Sequence, residues 1–364
     1  MRLAVDATPL LLRSAGVKTY LYYWTRHLRE QAGRRRLWLF PAAGRPGTCE
    51  HERSIVSAPR TLAGLLALHS ANYLGSWTLE PLAAAVDVFH ASHQLRRPPR
   101  RPLLTATLYD MTCWLAPEMH TAANVRASRR FAEMVLRRAA GLIAISANSR
   151  DDAVRLLGLD PGRIAVIYPG VANAFFTAAP APREKPFALF VGTVEPRKNI
   201  PVLLDAWEDL PRSLRQEFDL VVAGPAGWGD PATLARLQSG IPGVRYLGYV
   251  PEAELPGLTA AASVFVYPSL YEGFGLPVAQ AMAAGVPVVA SHVSSLPEVA
   301  GKGALFIDPR SPTEIRAALE RLLLSPSLRA ELGARGRDRA GLYRWDEAAR
   351  QSWAFFEKLA GSRG

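Results

Sequence analysis

The residues most able to do chemistry in this sequence lie together in the second half of the chain. Glu272 is followed by the turn Gly273-Phe274-Gly275 and then by Leu276 and Pro277, and Gln280 stands eight positions after the carboxylate. Glycines let a backbone approach a ligand closely, and proline fits the first turn of a helix. The N–H groups and the positive dipole end of such a helix favour an anion. The segment therefore indicates a site for a sugar nucleotide.

Two adjacent cations form a second candidate site. Arg197 and Lys198 follow a strand pattern that ends in Gly192, and a helical pattern begins after them. Arginine offers a planar fork to phosphate oxygens and lysine a compact point charge, so the pair can hold a diphosphate without a metal. Two cations near a helix start are usually solvated surface, but the order of strand, glycine and cations favours a ligand site here.

Both segments resemble the donor-site motifs of the family 4 retaining glycosyltransferases, the glycosyl transferases group 1, which have the GT-B fold. The resemblance implies that Arg197 and Lys198 stabilise the leaving phosphate and that Glu272 orients the donor sugar. It also implies that Gln280 holds the ribose, at a position where the family usually has a second glutamate. An amide can still accept one hydrogen bond and donate another, and it loses charge assistance of about 1 kcal/mol.

The same resemblance assigns further donor-binding positions. Gly16 belongs to a loop that faces a phosphate in the family, and Val250 to a loop whose backbone reads the nucleobase. Lys18 stands where a second glycine is frequent, and it is either a further phosphate contact or an exposed lysine in an ordinary turn. The predicted donor-binding residues are Gly16, Gly192, Val250, Tyr267, Gly273, Phe274, Gly275, Leu276 and Gln280.

The acceptor side is indicated by weaker signals. Tyr109 and Asp110 lie at a strand end where the family commonly has His-Asp. A phenol with a pKa near 10 can donate a hydrogen bond, but it cannot become a cation near neutral pH. His90 and then His120 are the histidines that we favour for acceptor-side or phosphate-side contacts, although a lone histidine is more often structural.

The pattern of strands and helices predicts an α/β fold. Short β-rich runs alternate with longer helical patterns, as in parallel sheets, and a proline-rich stretch at 177–186 is typical of a linker. The predicted strands are Met1–Asp6, Leu37–Phe40, Val86–His90, Leu103–Leu108, Gly141–Ser146, Ile164–Tyr168, Phe187–Gly192, Leu220–Gly224, Val244–Leu247, Val264–Tyr267 and Val286–Ala290. With the resemblance, this implies GT-B architecture, in which two Rossmann-like domains face each other across a cleft. The predicted boundaries are an acceptor-binding domain at 1–174, a nucleotide-sugar-binding domain at 175–345, and a C-terminal helix at 346–364 that packs back on the first domain.

Charge and cysteine content restrict the partners and the compartment. Of the 43 Lys and Arg residues, 23 lie in residues 1–175 against 12 Asp and Glu, whereas the remainder is balanced at 20 against 20. A one-sided basic field attracts an anionic membrane or a phosphorylated acceptor, and it is also compatible with an ordinary solvated surface. No nucleic-acid motif accompanies the charge, so we predict no nucleic-acid partner.

The 2 cysteines are too few for a disulfide framework, which points to a reducing compartment. With no signal peptide or membrane span visible in the sequence, we expect a cytoplasmic protein, peripheral at the inner membrane face if the basic field binds lipid.

These observations combine into one predicted activity. We expect a metal-independent and cofactor-free retaining glycosyltransferase, similar to bacterial mannosyltransferases of polysaccharide assembly, that moves a hexose from a nucleotide diphosphate sugar to a hydroxyl of a saccharide or lipid-linked glycan. GDP-mannose is the favoured donor and a UDP-sugar the close second. A non-catalytic sugar-nucleotide-binding protein and a sugar-nucleotide epimerase on the same scaffold are the alternatives.

Overall fold

The chain folds into two compact units. The computed structural model describes residues 1–13, 16–41, 44–93 and 95–362. The first unit comprises residues 1–170 and 344–364, and the second comprises residues 171–343. The corresponding boundaries predicted from the sequence lie at 174/175 and 345/346.

The first unit is built on a six-stranded sheet in which all neighbours run parallel. Its strand order is β2-β1-β3-β4-β5-β6. The strands are β1 Arg2–Asp6, β2 Arg36–Phe40, β3 Val88–Ala91, β4 Leu103–Leu108, β5 Gly141–Ala144 and β6 Ile164–Val166.

Helices connect these strands. They are α1 Gly16–Glu30, α2 Ala58–Tyr73, α3 Glu80–Ala83, α4 Thr112–Leu115, α5 Ala122–Phe131 and α6 Ala147–Leu157. Short 3₁₀ turns lie at Thr8–Leu11, Ser76–Leu79, Pro117–Met119 and Pro161–Arg163, and α5 continues into a π turn at Ala132–Leu136. Capping chemistry sets the bounds of α6: the Ser146 hydroxyl accepts the Ser149 N–H at 3.0 Å, and Gly158 ends the helix in the left-handed conformation.

The second unit repeats this plan, again with every pair of strands parallel. The strand order is β12-β11-β10-β7-β8-β9. The strands are β7 Phe187–Val191, β8 Asp219–Ala223, β9 Val244–Gly248, β10 Val264–Tyr267, β11 Val288–Ser291 and β12 Ala304–Ile307. Strands β8, β10 and β11 are buried along their whole length, as expected for parallel strands covered on both faces.

Nine helices of the described chain belong to the second unit. They are α7 Asn173–Phe176, α8 Ile200–Glu208, α9 Arg212–Glu217, α10 Pro231–Gln238, α11 Leu255–Ala260, α12 Leu276–Ala283, α13 Leu296–Ala300, α14 Pro312–Leu324 and α15 Pro326–Ala340. Two 3₁₀ turns, Pro196–Lys198 and Gly301–Gly303, complete the unit. Among the described helices, none combines the length and the apolar character that crossing a bilayer requires.

The last helix, α16 Trp345–Gly361, returns to the first unit and packs on α1. Trp24 donates its indole N–H to the Ser352 hydroxyl at 2.9 Å, and Trp353 donates to the Leu28 carbonyl at 3.0 Å. Both indoles are fully buried, so each needs such a partner. The predicted return of the C-terminal helix to the first domain is confirmed.

Each sheet has one point where successive crossovers turn in opposite directions. In the first unit it lies between β1 and β3, and in the second between β7 and β10. Open parallel sheets bind ligands outside the carboxyl ends of the strands at this point. In the second unit the two strand ends are Val191, followed by Gly192, and Tyr267, which therefore mark the expected binding edge.

Candidate active site

The segments that carry the predicted catalytic residues leave the two central strands of the second unit. Arg197 and Lys198 lie in the 3₁₀ turn that follows β7, and Glu272 lies five residues beyond the end of β10. The topology thus brings two distant parts of the sequence to one edge of one sheet.

Glu272 forms ion pairs with both cations. Its Oε1 lies 2.6 Å from the Lys198 ammonium, and its Oε2 lies 2.7 Å from the Arg197 guanidinium. Glu272 and Lys198 are buried, with 6% and 7% of their surface exposed. A buried carboxylate that accepts from two cations is held in a single orientation, and it holds both cations in place.

The electrostatics of this cluster follow from burial and from close charges. Burial by itself raises the pKa of Glu272, but the charges and hydrogen bonds of Arg197 and Lys198 outweigh it and hold that pKa at about 2. Burial lowers the pKa of Lys198, as does the neighbouring Arg197 charge, while Glu272 opposes both. The carboxylate is therefore ionised near neutral pH.

Tyr267 completes the surroundings of Lys198. The ammonium lies 2.5 Å from the Tyr267 hydroxyl and 4.9 Å from the centre of its ring. Burial raises the pKa of Tyr267 well above its ordinary value, so the phenol is neutral. Tyr267 thus positions the lysine through a hydrogen bond and a cation–π contact.

A second carboxylate, Glu195, belongs to the cluster and was missed by the sequence analysis. Its Oε1 accepts a hydrogen bond from Arg197 at 2.6 Å, and its side chain is 5% exposed. The available signal was its place two residues before Arg197 in Glu-Pro-Arg-Lys. With two cations and two carboxylates the cluster is formally neutral, so its charges balance without a bound anion.

Backbone contacts tie the cation turn to the glutamate segment. Arg197 donates its guanidinium N–H to the Tyr271 carbonyl at 2.9 Å, and its own carbonyl accepts the Leu270 N–H at 2.9 Å. Asn199, also missed by the sequence analysis, donates its amide to the carbonyls of Pro268 and Pro309 at 3.2 and 2.6 Å. Asn199 adopts a left-handed backbone with φ of 59°, a conformation that asparagine tolerates.

The turn after Glu272 is fixed by two serines and one glycine. The Glu272 N–H donates to the Ser294 hydroxyl at 2.9 Å, and the Ser295 hydroxyl donates to the Glu272 carbonyl at 2.9 Å. Gly275 has φ of 88° immediately before α12, which explains a glycine at that position. Phe274 is buried and contacts the Tyr343 ring edge-on at 5.2 Å.

The other predicted donor-binding residues occupy the same edge of the sheet or the helix beside it. Leu276 begins α12, and the half-buried Gln280 follows one turn later. Gly192 lies against Gly224. A Cβ added at Gly224 would stand 1.9 Å from the Gly192 carbonyl oxygen. Val250 is half-buried in the loop after β9. The structure therefore groups the predicted residues of the second unit at the carboxyl end of its sheet.

The structure explains His90 as a core residue but gives no steric reason for glycine at position 16. His90 is completely buried, and its two ring nitrogens hydrogen bond to the hydroxyls of Thr105 and Thr107 at 3.0 and 2.8 Å. Burial lowers its pKa to about 3, so it is a neutral core residue. Gly16 begins α1, and a Cβ there would meet no atom within 4 Å, so sterics do not require glycine.

The remaining acceptor-side candidates lie near the end of β4. Tyr109 is half-buried and contacts the Tyr20 ring edge-on at 5.5 Å. Asp110 accepts hydrogen bonds from the N–H and hydroxyl of Thr112 at 3.0 and 2.8 Å, which is a local turn contact. His120 is half-buried after the 3₁₀ turn Pro117–Met119. Their role as acceptor contacts remains a prediction.

The interpretation of Lys18 as an exposed lysine is wrong. The side chain is fully buried in α1, and its ammonium donates to the carbonyls of Glu50 and Arg53 at 2.8 and 2.6 Å. Burial lowers the pKa of this lysine. Lys18 therefore anchors the chain at 50–53 to α1.

Comparison with protein families identifies the chain. The model for glycosyl transferases group 1 matches residues 173–339, and the model for glycosyltransferase family 4 matches residues 14–175. An O-antigen chain mannosyltransferase B from Escherichia coli is 36% identical over 276 residues, which cover 72% of this chain and 71% of the relative. The chain belongs to the group 1 glycosyltransferases. It is a glycosyltransferase, as the sequence predicts.

A second relative is named for a different activity. A D-inositol 3-phosphate glycosyltransferase from Nocardioides is 32% identical over 279 residues, which cover 65% of this chain and 60% of the relative. The family therefore contains enzymes that are named for different acceptors. Membership alone does not determine the substrate of this glycosyltransferase.

Solved structures share the fold over its full length. A sucrose-phosphate synthase from Thermosynechococcus elongatus has a TM-score of 0.73 at 21% identity and covers 100% of both chains. HepE of Anabaena, in complex with UDP and glucose, has a TM-score of 0.71 at 20% identity and covers 99% of both chains. The predicted GT-B fold of this glycosyltransferase is confirmed.

Proposed function

We propose that this glycosyltransferase moves a mannosyl residue from a nucleotide diphosphate donor to a hydroxyl of a saccharide or a lipid-linked glycan, with retention of configuration and without a metal. The observation that carries the proposal is the cluster of the half-buried Arg197 with the buried Lys198 and Glu272 at the switch point of the second sheet.

The cations of this cluster supply what the leaving group needs. When the glycosidic C–O bond of the donor breaks, negative charge develops on the nucleotide diphosphate. Arg197 and Lys198, already oriented by carboxylates, stabilise that charge without reorganising, which is the most effective form of electrostatic catalysis. Two fixed cations perform the task that a divalent metal performs in other transferases, so no metal is required.

Retention follows from attack on the same face of the sugar, and no protonating acid is needed for the leaving group. The nucleotide diphosphate is a good leaving group, and the acceptor hydroxyl attacks the anomeric carbon from the face that the phosphate leaves. The new C–O bond forms as the old one breaks, and the acceptor proton passes to a leaving phosphate oxygen. Glu272 stays ionised throughout and orients the cations and the sugar hydroxyls.

The choice of donor rests on the relatives. The similarity to the O-antigen chain mannosyltransferase B from Escherichia coli supports mannose as the transferred sugar, and we propose GDP-mannose as the donor. A UDP-sugar is the second candidate, because a structure of the same fold is described with UDP and glucose. Gln280 would hold the ribose in either case, since an amide can both donate to and accept from hydroxyl groups.

The product of the reaction tests this proposal. Purified protein would be incubated with GDP-mannose or UDP-glucose and a mannose-containing oligosaccharide acceptor, with and without EDTA. We expect mannosyl transfer with the α configuration of the donor, by proton NMR, at equal rates with and without EDTA. A β-linked product would contradict retention, loss of transfer in EDTA would contradict metal independence, and release of epimerised sugar nucleotide would contradict the transferase.

A further inference from the structure

We infer that the first unit carries a docking site for the surface of a bilayer that contains anionic phospholipids, formed by an exposed apolar stripe beside a pocket of arginines. We define this membrane patch by the stripe on α2 and its continuation, and by the pocket that adjoins it. Its members are Leu62, Leu66, Tyr73, Leu74, Trp77, Gly75, Arg97, Pro98, Arg100, Arg130, Met134 and Arg138.

The stripe consists of large apolar side chains that the fold leaves uncovered. Leu62, Leu66 and Tyr73 repeat at helical spacing on α2, and Leu74 and Trp77 continue the series; each is 62% to 67% exposed. They make up five of the eleven exposed large hydrophobic residues of the described chain, within sixteen positions. Such a concentration marks an interaction surface, since isolated exposed hydrophobic residues are ordinary but clusters are not.

The pocket beside the stripe is strongly cationic. It has a volume of about 440 Å³ and is lined by four arginines together with Leu74, Gly75, Trp77, Pro98 and Met134. Within the described residues none of these four guanidiniums forms an ion pair, although ion pairs are common elsewhere in the chain. The Glu80 carboxylate accepts the backbone N–H of Arg100 at 2.8 Å instead. The arginines are therefore available to a phosphate.

The two features together fit a lipid surface. The stretch 58–79 contains no acidic residue, and an aromatic side chain, Trp77, stands where the apolar stripe meets the pocket. An apolar face with tryptophan and leucine beside arginines is the arrangement by which helices lie in the interface of an anionic bilayer. The apolar side chains would enter the headgroup region, and the pocket would receive a lipid phosphate.

The charge of the patch disfavours a second copy of the chain as its occupant. A symmetric dimer places the same surface of both subunits together. It would bring eight arginines into one interface without an acidic residue from the patch to compensate. Nucleic acid would meet the arginines but would leave the leucines and Trp77 unexplained. An anionic bilayer accounts for both halves of the patch.

Vesicle cosedimentation with matched variants tests this inference. The protein would be mixed at low salt with vesicles of phosphatidylcholine alone or with about one third phosphatidylglycerol. On the anionic surface each arginine should raise the binding affinity by roughly a factor of five. We expect binding to the anionic vesicles only. Arg130→Ala with Arg138→Ala should weaken binding by about twentyfold, and Leu66→Ser by about tenfold.

The second unit supplies the controls. Leu324 is 63% exposed and Arg310 and Arg321 are exposed, so Leu324→Ser and the pair Arg310→Ala with Arg321→Ala match the test variants in chemistry. They should bind within twofold of the wild type, and all variants should keep its melting temperature. The inference would be overturned if the wild type failed to bind or if the controls lost as much binding as the test variants. It would also be overturned if millimolar inorganic phosphate displaced the bound vesicles while Leu66→Ser had no effect. Sedimentation of a dimer in the absence of vesicle binding would assign the patch to a second copy.

Discussion

Glu272 is the residue on which the electrostatics of the site depend. One carboxylate accepts from an arginine and a lysine that are themselves neighbours in sequence, and so it compensates a repulsion that burial would otherwise make costly. Because Glu195 shares Arg197, the cluster is preassembled before a donor arrives. The chemistry therefore rests on cations whose positions are fixed in advance.

The low pKa of Glu272 predicts a stability that depends on pH. Because this pKa is about 2 instead of 4.5, ionisation stabilises the folded state above pH 4.5, and this contribution is lost as the pH falls towards 2. It amounts to about 3 kcal/mol at neutral pH and to roughly half of that at pH 3. The free energy of unfolding, from urea titrations of the wild type and Glu272→Gln, should differ most at pH 7.

The control for this prediction is Glu254→Gln. Glu254 is exposed, and no ion pair is found for it among the described residues, so its variant should match the wild type at both pH values. A difference between Glu272→Gln and the wild type that stays constant from pH 7 to pH 3 would contradict the electrostatic account of the cluster.

Gln280 makes a separate prediction about nucleotide affinity. If its amide holds the ribose, Gln280→Glu should tighten nucleotide binding about fivefold, because a charged acceptor strengthens a hydrogen bond by about 1 kcal/mol. Isothermal titration with GDP and UDP measures the change. Gln238→Glu, on the exposed end of α10, is the matched control and should leave affinity unaltered. Unchanged affinity in Gln280→Glu would mean that this residue does not touch the ribose.

At the scale of elements, the site depends on loops that hold one another. The turn after β7, the segment after β10 and the residues after β12 meet at Asn199, whose amide donates to Pro268 and Pro309. Since these loops come from three strands, a single side chain couples the cation turn to the glutamate segment.

Substitution of Asn199 tests this coupling. Asn199→Ala removes two hydrogen bonds and strains the left-handed backbone, and we expect a loss of about 2 to 3 kcal/mol in the free energy of unfolding. Asn199→Gly keeps that backbone without strain and should lose about 1 kcal/mol less. Urea unfolding measures both variants. Equal losses would show that the backbone conformation contributes nothing, and no loss in either would contradict the coupling.

Much of this element structure was predictable, for a physical reason. Buried parallel strands are continuous apolar runs, so most strands were found from the sequence, including Leu103–Leu108 and Val264–Tyr267 at their observed bounds. Strand β12 was missed because Ala304–Ile307 is short and follows a glycine-rich turn.

The site was predictable only where a motif or resemblance marked it. Arg197, Lys198 and Glu272 belong to such motifs, and the structure brings them together. Asn199 acts through contacts with Pro268 and Pro309, which lie 69 and 110 positions away along the chain, and no local pattern reveals such contacts. Glu195 contacts Arg197 only two positions away, but that spacing in the sequence does not distinguish it from a solvated surface carboxylate. His90 was misleading, because a histidine at a strand end looks the same in sequence whether it faces a ligand or the core.

At the scale of the whole molecule, the two units divide the properties of the protein. The excess positive charge lies in the first half of the chain, whereas the second half is balanced and its central cluster is formally neutral. Net charge therefore does not concentrate the donor at the second unit. The affinity for a diphosphate has to come from oriented groups at the end of one sheet. Single substitutions of those groups should therefore lower that affinity strongly.

The rate of mannosyl transfer in Arg197→Ala tests the central claim most directly. With GDP-mannose and acceptor at fixed concentrations, we expect kcat/KM to fall by about 10² to 10³, the cost of removing one oriented donor of charge stabilisation. Arg197→Lys should recover part of the rate, and Arg212→Ala, at an exposed position of the same unit, should retain all of it. Melting temperatures and circular dichroism establish that each variant is folded. A folded Arg197→Ala protein with kcat/KM within threefold of the wild type would contradict the account.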